Sequence, residues 1–186
     1  DFDIKTIDIE YFLNLAQRYL TDSYYRQYEN DEKSRKVLAN LVYNVDLTRT
    51  SVSASQVGIH PNGEYWDLPT NILFVLKEEA TLNINSCGDT TSIPANYQRV
   101  TVKPINMDYY NKHITNAFKK PYEKLVWRMD VTNGNNDQHE LITAGQQIYK
   151  YHLTYLKEPV DISVRSSVNC ELMDWVHQDI VDNAVL

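Results

Sequence analysis

The sequence predicts an α+β domain in which an N-terminal helix pair and a C-terminal helix pack with a mainly antiparallel, β-rich middle of five to six strands. Three observations carry this. Apolar residues recur at helical spacing near both ends, they alternate with polar residues through the middle, and Pro, Gly and Asn punctuate the alternating runs. At 186 residues the chain has the length of one domain. It can bury roughly 70% of its unfolded surface, so it needs no staple. The expected division is a single domain over 1–186, with a helical part at 1–46 plus 169–186 and a β-rich part at 47–168.

In chain order, Asp8 is a candidate cap for a helix whose apolar positions Ile9, Phe12, Leu13, Ala16, Tyr19 and Leu20 keep 3.6-residue spacing. A tyrosine cluster at Tyr24, Tyr25 and Tyr28 leads to an acidic break at Glu29 to Asp31. A second helix then places Val37, Leu38, Leu41, Val42 and Val45 on one stripe. Residues 47–70 are rich in turn formers and small polar residues, and read as a long excursion from helices to sheet.

Ile72 to Leu76 is apolar on both faces, as in a central strand, with Ala80, Leu82 and Ile84 as hairpin partner or continuation. Residues 85–96 form a polar loop. Val100 and Val102 make a short strand that Pro104 ends, and Met107 to Phe118 reads as a short helix. Leu125, Trp127 and Met129 mark another strand. Asn133-Gly134 suits a hairpin turn with positive φ, after which Glu140 to Thr143 returns. Tyr149, Tyr151, Leu153 and Tyr155 alternate with polar residues as a half-buried strand. Past the Pro159 corner, Val160, Ile162 and Val164 read as one more. From the cap Asn169, the residues Leu172, Val176, Ile180 and Ala184 recur every four positions, with Met173 and Val181 beside them and Glu171 in the first turn. This helix meets Leu186 while still apolar, which implies further chain or a packed end. The chain opens at Asp1 rather than Met, so residues before it are expected.

Composition narrows the function classes. A net charge of −7 opposes simple nucleic-acid binding, which depends on Lys and Arg displacing counterions. The densest basic cluster, Lys112, Lys119, Lys120 and Lys124, reads as the solvated face of a short helix and loop. Cys87 and Cys170 suit a reducing compartment and lack metal-ligand spacing, and a single disulfide stays open. No run approaches the roughly 18 apolar residues that span a bilayer, so no membrane partner is expected.

Chemistry finds no purchase. His60, His113, His139, His152 and His177 lie on different predicted elements without an HxH or HExxH pair, so no metal is expected. Ser51, Ser53 and Ser55 lack a GxSxG elbow. The carboxylate pairs Glu78-Glu79 and Asp179-Asp182 read as solvent-facing, and five scattered glycines make no phosphate cradle. No catalytic residue, cofactor or metal is predicted.

The aromatics point instead to contacts. Fourteen tyrosines and three tryptophans supply large apolar area with polar tips. Core packing accounts for about half of them. The interface candidates are Tyr24, Tyr25, Tyr28, Trp66, Tyr109, Tyr110 and Trp175, with Ile180 and Leu186 on the terminal helix.

Six segments then reach a family: LPTNILFVLKEE (68–79), RVTVKPINMDYYN (99–111), NAFKKPYEKLVWRMD (116–130), HELIT (139–143), YLKEPVDISV (155–164) and CELMDWVHQDIVDNAV (170–185). Together they resemble a virion structural protein of crAss-like and related tailed bacteriophages. The best-marked pieces are the PxxIL strand at Pro69, the NxxxxPYxxxVWR run from Asn116 to Arg128, and the tail with Lys157, Pro159, Cys170-Glu171-Leu172 and Gln178-Asp179-Ile180-Val181. The family form has a Glu where Gln178-Asp179 stands, a departure that touches helix surface only. The order of elements is also similar to podovirus gatekeeper and tail tubular adaptors.

The resemblance implies a homo-oligomeric ring of about twelve copies at the head–tail connector of the virion, assembled in the host cytoplasm. Its partners would be the portal and other tail or ring proteins, with DNA passing through the channel without specific binding. The helices would then face lumen and portal, and the sheet outward or the next ring. Two alternatives stand beside it. A secreted carbohydrate-binding or adhesion module would use surface aromatics as a stacking platform, and a metal-free hydrolase would use Asp or Glu.

Overall fold

The computed structural model describes residues 6–48, 58–83, 97–133 and 136–185. It is α+β, with helices at both ends and a seven-stranded, curled, mostly antiparallel sheet between them. The chain divides into two compact units. One is helical, Asp1–Tyr43 with Leu156–Leu186, and the other is the sheet unit, Asn44–Tyr155. This partition places residues 156–168 with the helices.

In the helical unit, helix α1 (Thr6–Arg26) packs along α4 (His177–Val185) and touches α2 (Glu32–Val37). Asp8 lies inside the first turn of α1 and not at its cap. Helix α2 is capped by Asp31, whose carboxylate accepts from Lys33 N at 3.1 Å, Ser34 N at 3.0 Å and Ser34 Oγ at 2.8 Å. The second helix is shorter than its stripe suggested. It yields to a 3-10 turn at Ala39–Leu41, and Val42 and Val45 belong to strand β1 (Val42–Thr48). Val37, Leu38 and Leu41 are fully buried as expected, because a helical turn and a 3-10 turn continue nearly the same stripe.

Two further expectations for this unit are corrected. Val160, Ile162 and Val164 do not form a strand. Their backbone is held by side chains of α1: Gln17 donates to Val160 O at 3.0 Å, Asn14 exchanges bonds with both Ile162 backbone groups, and Glu10 accepts from Arg165 N at 3.1 Å. A turn at 164–167, with Ser167 at φ 55° and a bridge between Ser163 and Val168, reverses the chain. The terminal helix begins at His177 after a 3-10 turn at Asp174–Val176, well past Asn169. Glu171 is spent elsewhere, on the Lys157 ammonium and on Val160 N at 2.9 Å.

In the sheet unit the order is β1-β7-β3-β4-β5-β6-β2, with β2 at Gly63–Asp67, β3 at Ile72–Asn83, β4 at Tyr97–Pro104, β5 at Leu125–Asn133, β6 at Asn136–Ile142 and β7 at Gln147–Lys157. Strand β3 is interior and runs on through Ala80 and Leu82, so these residues continue the strand and form no hairpin partner. Antiparallel pairs join β3 to β4, β5 to β6 and β2 to β6. The expected hairpin is present, with β5 and β6 paired out to Asn133 and Asn136, and the turn between them lies outside the described residues. Strands β4 and β5 are parallel, and their crossover contains helix α3 (Met107–His113), capped by Asn106. The expected helix to Phe118 stops five residues early, because Asn116 turns the chain.

Strand β2 falls inside the region read as an excursion. Trp66, Ala80, Leu82, Val100, Val126, Leu141, Ile148, Tyr151 and Leu153 form the main core, and Trp127, Met129, Ile142 and Tyr110 a second cluster. On β7, Tyr151, Leu153 and Tyr155 face inward as expected. Ile148 takes the inward place of Tyr149, which is exposed and stacks on Tyr97 at 4.5 Å.

Candidate assembly surface

Helix α1 carries apolar residues around more than one face. It buries Ala16, Gln17, Leu20 and Thr21, of which only Leu20 is a large apolar side chain. Glu10, Asn14, Gln17 and Arg18 grip the 158–165 segment, Arg18 through Asp161 at 3.1 Å and Glu158 at 3.6 Å. Ile7, Tyr11, Leu15 and Tyr19, one residue per turn, are left outward together with Ile9 and Phe12. Tyr11, at 64% exposed, meets Phe12 edge-on at 5.5 Å. Ile9, Phe12 and Tyr19 belong to the helical spacing read from the sequence but are exposed, whereas Ala16 and Leu20 of the same spacing are buried. Ile7, Tyr11 and Leu15 also repeat every four residues, a second apolar stripe that the pattern missed and that the described residues do not cover.

The helical unit has further apolar surface. Val160, Val164, Trp175, Val181 and Val185 are all exposed, and Lys33 Nζ lies 5.0 Å from the Trp175 ring. Beneath that surface the unit is clamped by polar contacts. Burial pushes the Glu171 carboxyl up, but the Lys157 ammonium and the Val160 amide outweigh it and hold its pKa below the usual carboxylate range. Lys157 also sits 5.2 Å from the Tyr43 ring.

The sheet unit buries one set of charged side chains and pairs them with one another. Glu140 is fully buried, accepting from His60 N at 2.8 Å and meeting His60 Nδ1 at 2.8 Å, and the His60 ring packs on Tyr110 at 4.2 Å. A Cβ on Gly58 or Gly63 would run into Glu140 Oε1, so both glycines are required for the 58–63 turn to close on the carboxylate. A second network joins four strands. Arg128 Nη1 lies 2.8 Å from His139 Nε2, His139 Nδ1 lies 2.8 Å from Tyr151 Oη, and Tyr151 donates to Glu78 Oε2 at 3.0 Å. Arginine has only donors, so His139 Nε2 accepts and Nδ1 donates. Burial pushes Glu78 up, against the charge of Arg128. Burial and the Glu78 charge likewise push Tyr151 up. Glu78 is therefore not solvent-facing as the sequence suggested. These groups are spent on one another, and no group of three or more metal-ligating side chains lies together among the described residues. Among the described residues no helix is long and apolar enough to cross a membrane.

The residues singled out from sequence fall in different places. Tyr24, Tyr25 and Tyr28 are half-buried; burial and Asp179, its hydrogen-bond partner on α4, push the Tyr24 hydroxyl up. Trp66, Tyr110 and Ile180 are buried within the subunit and offer no area to a neighbour. Tyr109 is half-buried, with Lys103 Nζ 2.8 Å from its hydroxyl and Trp127 edge-on at 5.7 Å. Trp175 is exposed. Cys170 is a free thiol whose pKa burial raises. Leu186, Cys87, Ile84, the Ser51 to Ser55 loop and the whole of 85–96 lie outside the described residues.

An outward apolar helix is what an assembly subunit presents, and comparison with known proteins agrees. Residues 12–186 match the family described as phage tail ring protein 3/4. The curated relative, ring protein 4/5 of Bacteroides phage crAss001, is 21% identical over 196 aligned positions, covering 93% of this chain and 77% of the relative. The chain belongs to the crAss phage tail ring protein 3/4 family, structural and non-enzymatic components of the virion that assemble as rings with other tail proteins.

Proposed function

We propose that this ring stands in the head–tail connector below the portal, contains about twelve copies, and bounds the channel through which DNA passes. The observation that carries the reading is the outward stripe of α1, Ile7, Tyr11, Leu15 and Tyr19, held on a helix whose other side is fixed by buried and hydrogen-bonded residues. A cyclic ring needs a surface that meets a different surface of the next subunit, and a preorganised apolar helix supplies one.

Charge supports the channel role. Twelve copies at −7 carry about −84, and a wall of like sign to DNA makes no lasting phosphate contacts. Only lumen-facing groups within a Debye length of about 8 Å act on the polymer. The helical unit would face lumen and portal, and the sheet unit outward or the next ring. Native mass spectrometry over a concentration series, with and without portal protein, tests this. The expected result is a ring of about twelve copies, alone or on the portal. A persistent monomer that ignores the portal would contradict it.

A further inference from the structure

A turn built to display one side chain lies between α3 and β5. Asn116 Oδ1 accepts from Phe118 N at 3.0 Å, and Asn116 O accepts from Lys119 N at 3.1 Å and Lys120 N at 3.0 Å. Pro121 is buried, and Tyr122 and Leu125 close the base through two backbone bonds. This firmly held turn leaves Phe118 96% exposed, with Tyr122 and Met107 exposed nearby in sequence. Lys112, Lys119, Lys120 and Lys124 are exposed on the same segment, against one acidic residue, Glu123. Burial and the positive charges of Lys119, Lys103 and Lys112 hold the His113 pKa down, which places these lysines around one spot.

The end of the chain has the opposite character. From Ser166 onward it has Glu171, Asp174, Asp179 and Asp182 and neither Lys nor Arg. Asp174, Gln178, Val181 and Val185 follow one another at three- and four-residue steps along α4 and the turn before it, with Asp182 one turn from both Gln178 and Val185, and all five are exposed, Val185 at 83%. One surface is basic and apolar, the other acidic and apolar.

We infer that the Phe118 knob of one copy docks on the α4 stripe of the next, Phe118 between Val181 and Val185 and the lysines against Asp174 and Asp182. The inference deepens the ring reading and rests on it. A second copy is favoured over DNA because three exposed apolar side chains accompany the lysines, and a phosphate backbone offers them no burial.

Charge exchange tests the pairing. Lys119→Glu with Lys120→Glu is expected to reduce the ring fraction at least tenfold in native mass spectrometry, alone or on portal protein. Adding Asp174→Lys and Asp182→Lys to the same chain is expected to restore it, and Phe118→Ser to reduce it without rescue. Circular dichroism of each variant should match the parent. Rings indifferent to Lys119→Glu and Lys120→Glu, or a loss that the reciprocal change does not repair, would overturn the inference alone. Duplex DNA binding that the same lysine changes abolish would assign the patch to phosphate and also overturn it. A parent chain that never assembles would remove the ring reading and this pairing together.

Discussion

The two units of this subunit handle their side chains in opposite ways. The sheet unit brings Glu78, Arg128, His139, Tyr151 and Glu140 inside and gives each a partner. The helical unit keeps polar clamps within and leaves Ile7, Tyr11, Leu15, Tyr19, Val160, Val181 and Val185 in water. The sheet unit closes its own core and shows apolar side chains at separate points, Phe118 foremost. The helical unit leaves a whole apolar stripe that the described residues do not cover, as expected of a ring protein.

The contrast breaks most sharply at Glu140. Glu140→Ala leaves His60 and its buried amide without an acceptor, and should cost about 3–5 kcal/mol of stability in chemical denaturation. Little loss would mean that the sheet unit does not depend on its buried charge. Leu15→Asp should do the reverse, leaving subunit stability within about 0.5 kcal/mol while abolishing rings in native mass spectrometry. Each such apolar anchor is worth on the order of 2 kcal/mol per interface.

Acid sharpens the comparison at the helical clamp. The Glu171 carboxyl, held below its ordinary value of 4.5, contributes stability above that pH and loses it as pH falls through its lower, folded value. Glu171→Gln should therefore destabilise the chain at pH 7 and cease to matter under strongly acidic conditions, as read from parallel melts. The smallest effect belongs to Arg18→Ala. Its pairs with Glu158 and Asp161 join half-exposed side chains, so the change should cost less than about 1 kcal/mol and shrink further in salt.

Much of this was legible in the sequence because alternation and capping are local. The interior strand from Ile72, the β5–β6 hairpin and the Tyr151 to Tyr155 face followed from spacing alone. The errors arose where tertiary contacts replace local pattern. Val160 to Val164 alternates like a strand, but α1 side chains occupy its backbone groups. Glu171 looks like a first-turn residue, but it holds Lys157. The assembly surface was hardest to see, since an apolar stripe destined for a neighbour has the same spacing as one destined for the core. Tyr11 and Leu15 passed unnoticed, and Trp66 and Tyr110 drew notice through composition although both are buried. The overlap of two stripes on α1 is the signal that distinguishes a helix with two partners.

The most direct measurement is hydroxyl-radical footprinting of the assembled ring against the isolated Leu15→Asp subunit. Protection of Tyr11, Phe12 and Tyr19 on assembly, with Leu73 of the sheet unit reacting equally in both, is the predicted result. If α1 reacts as strongly in the ring as in the subunit, its outer stripe is not the assembly surface and the account fails.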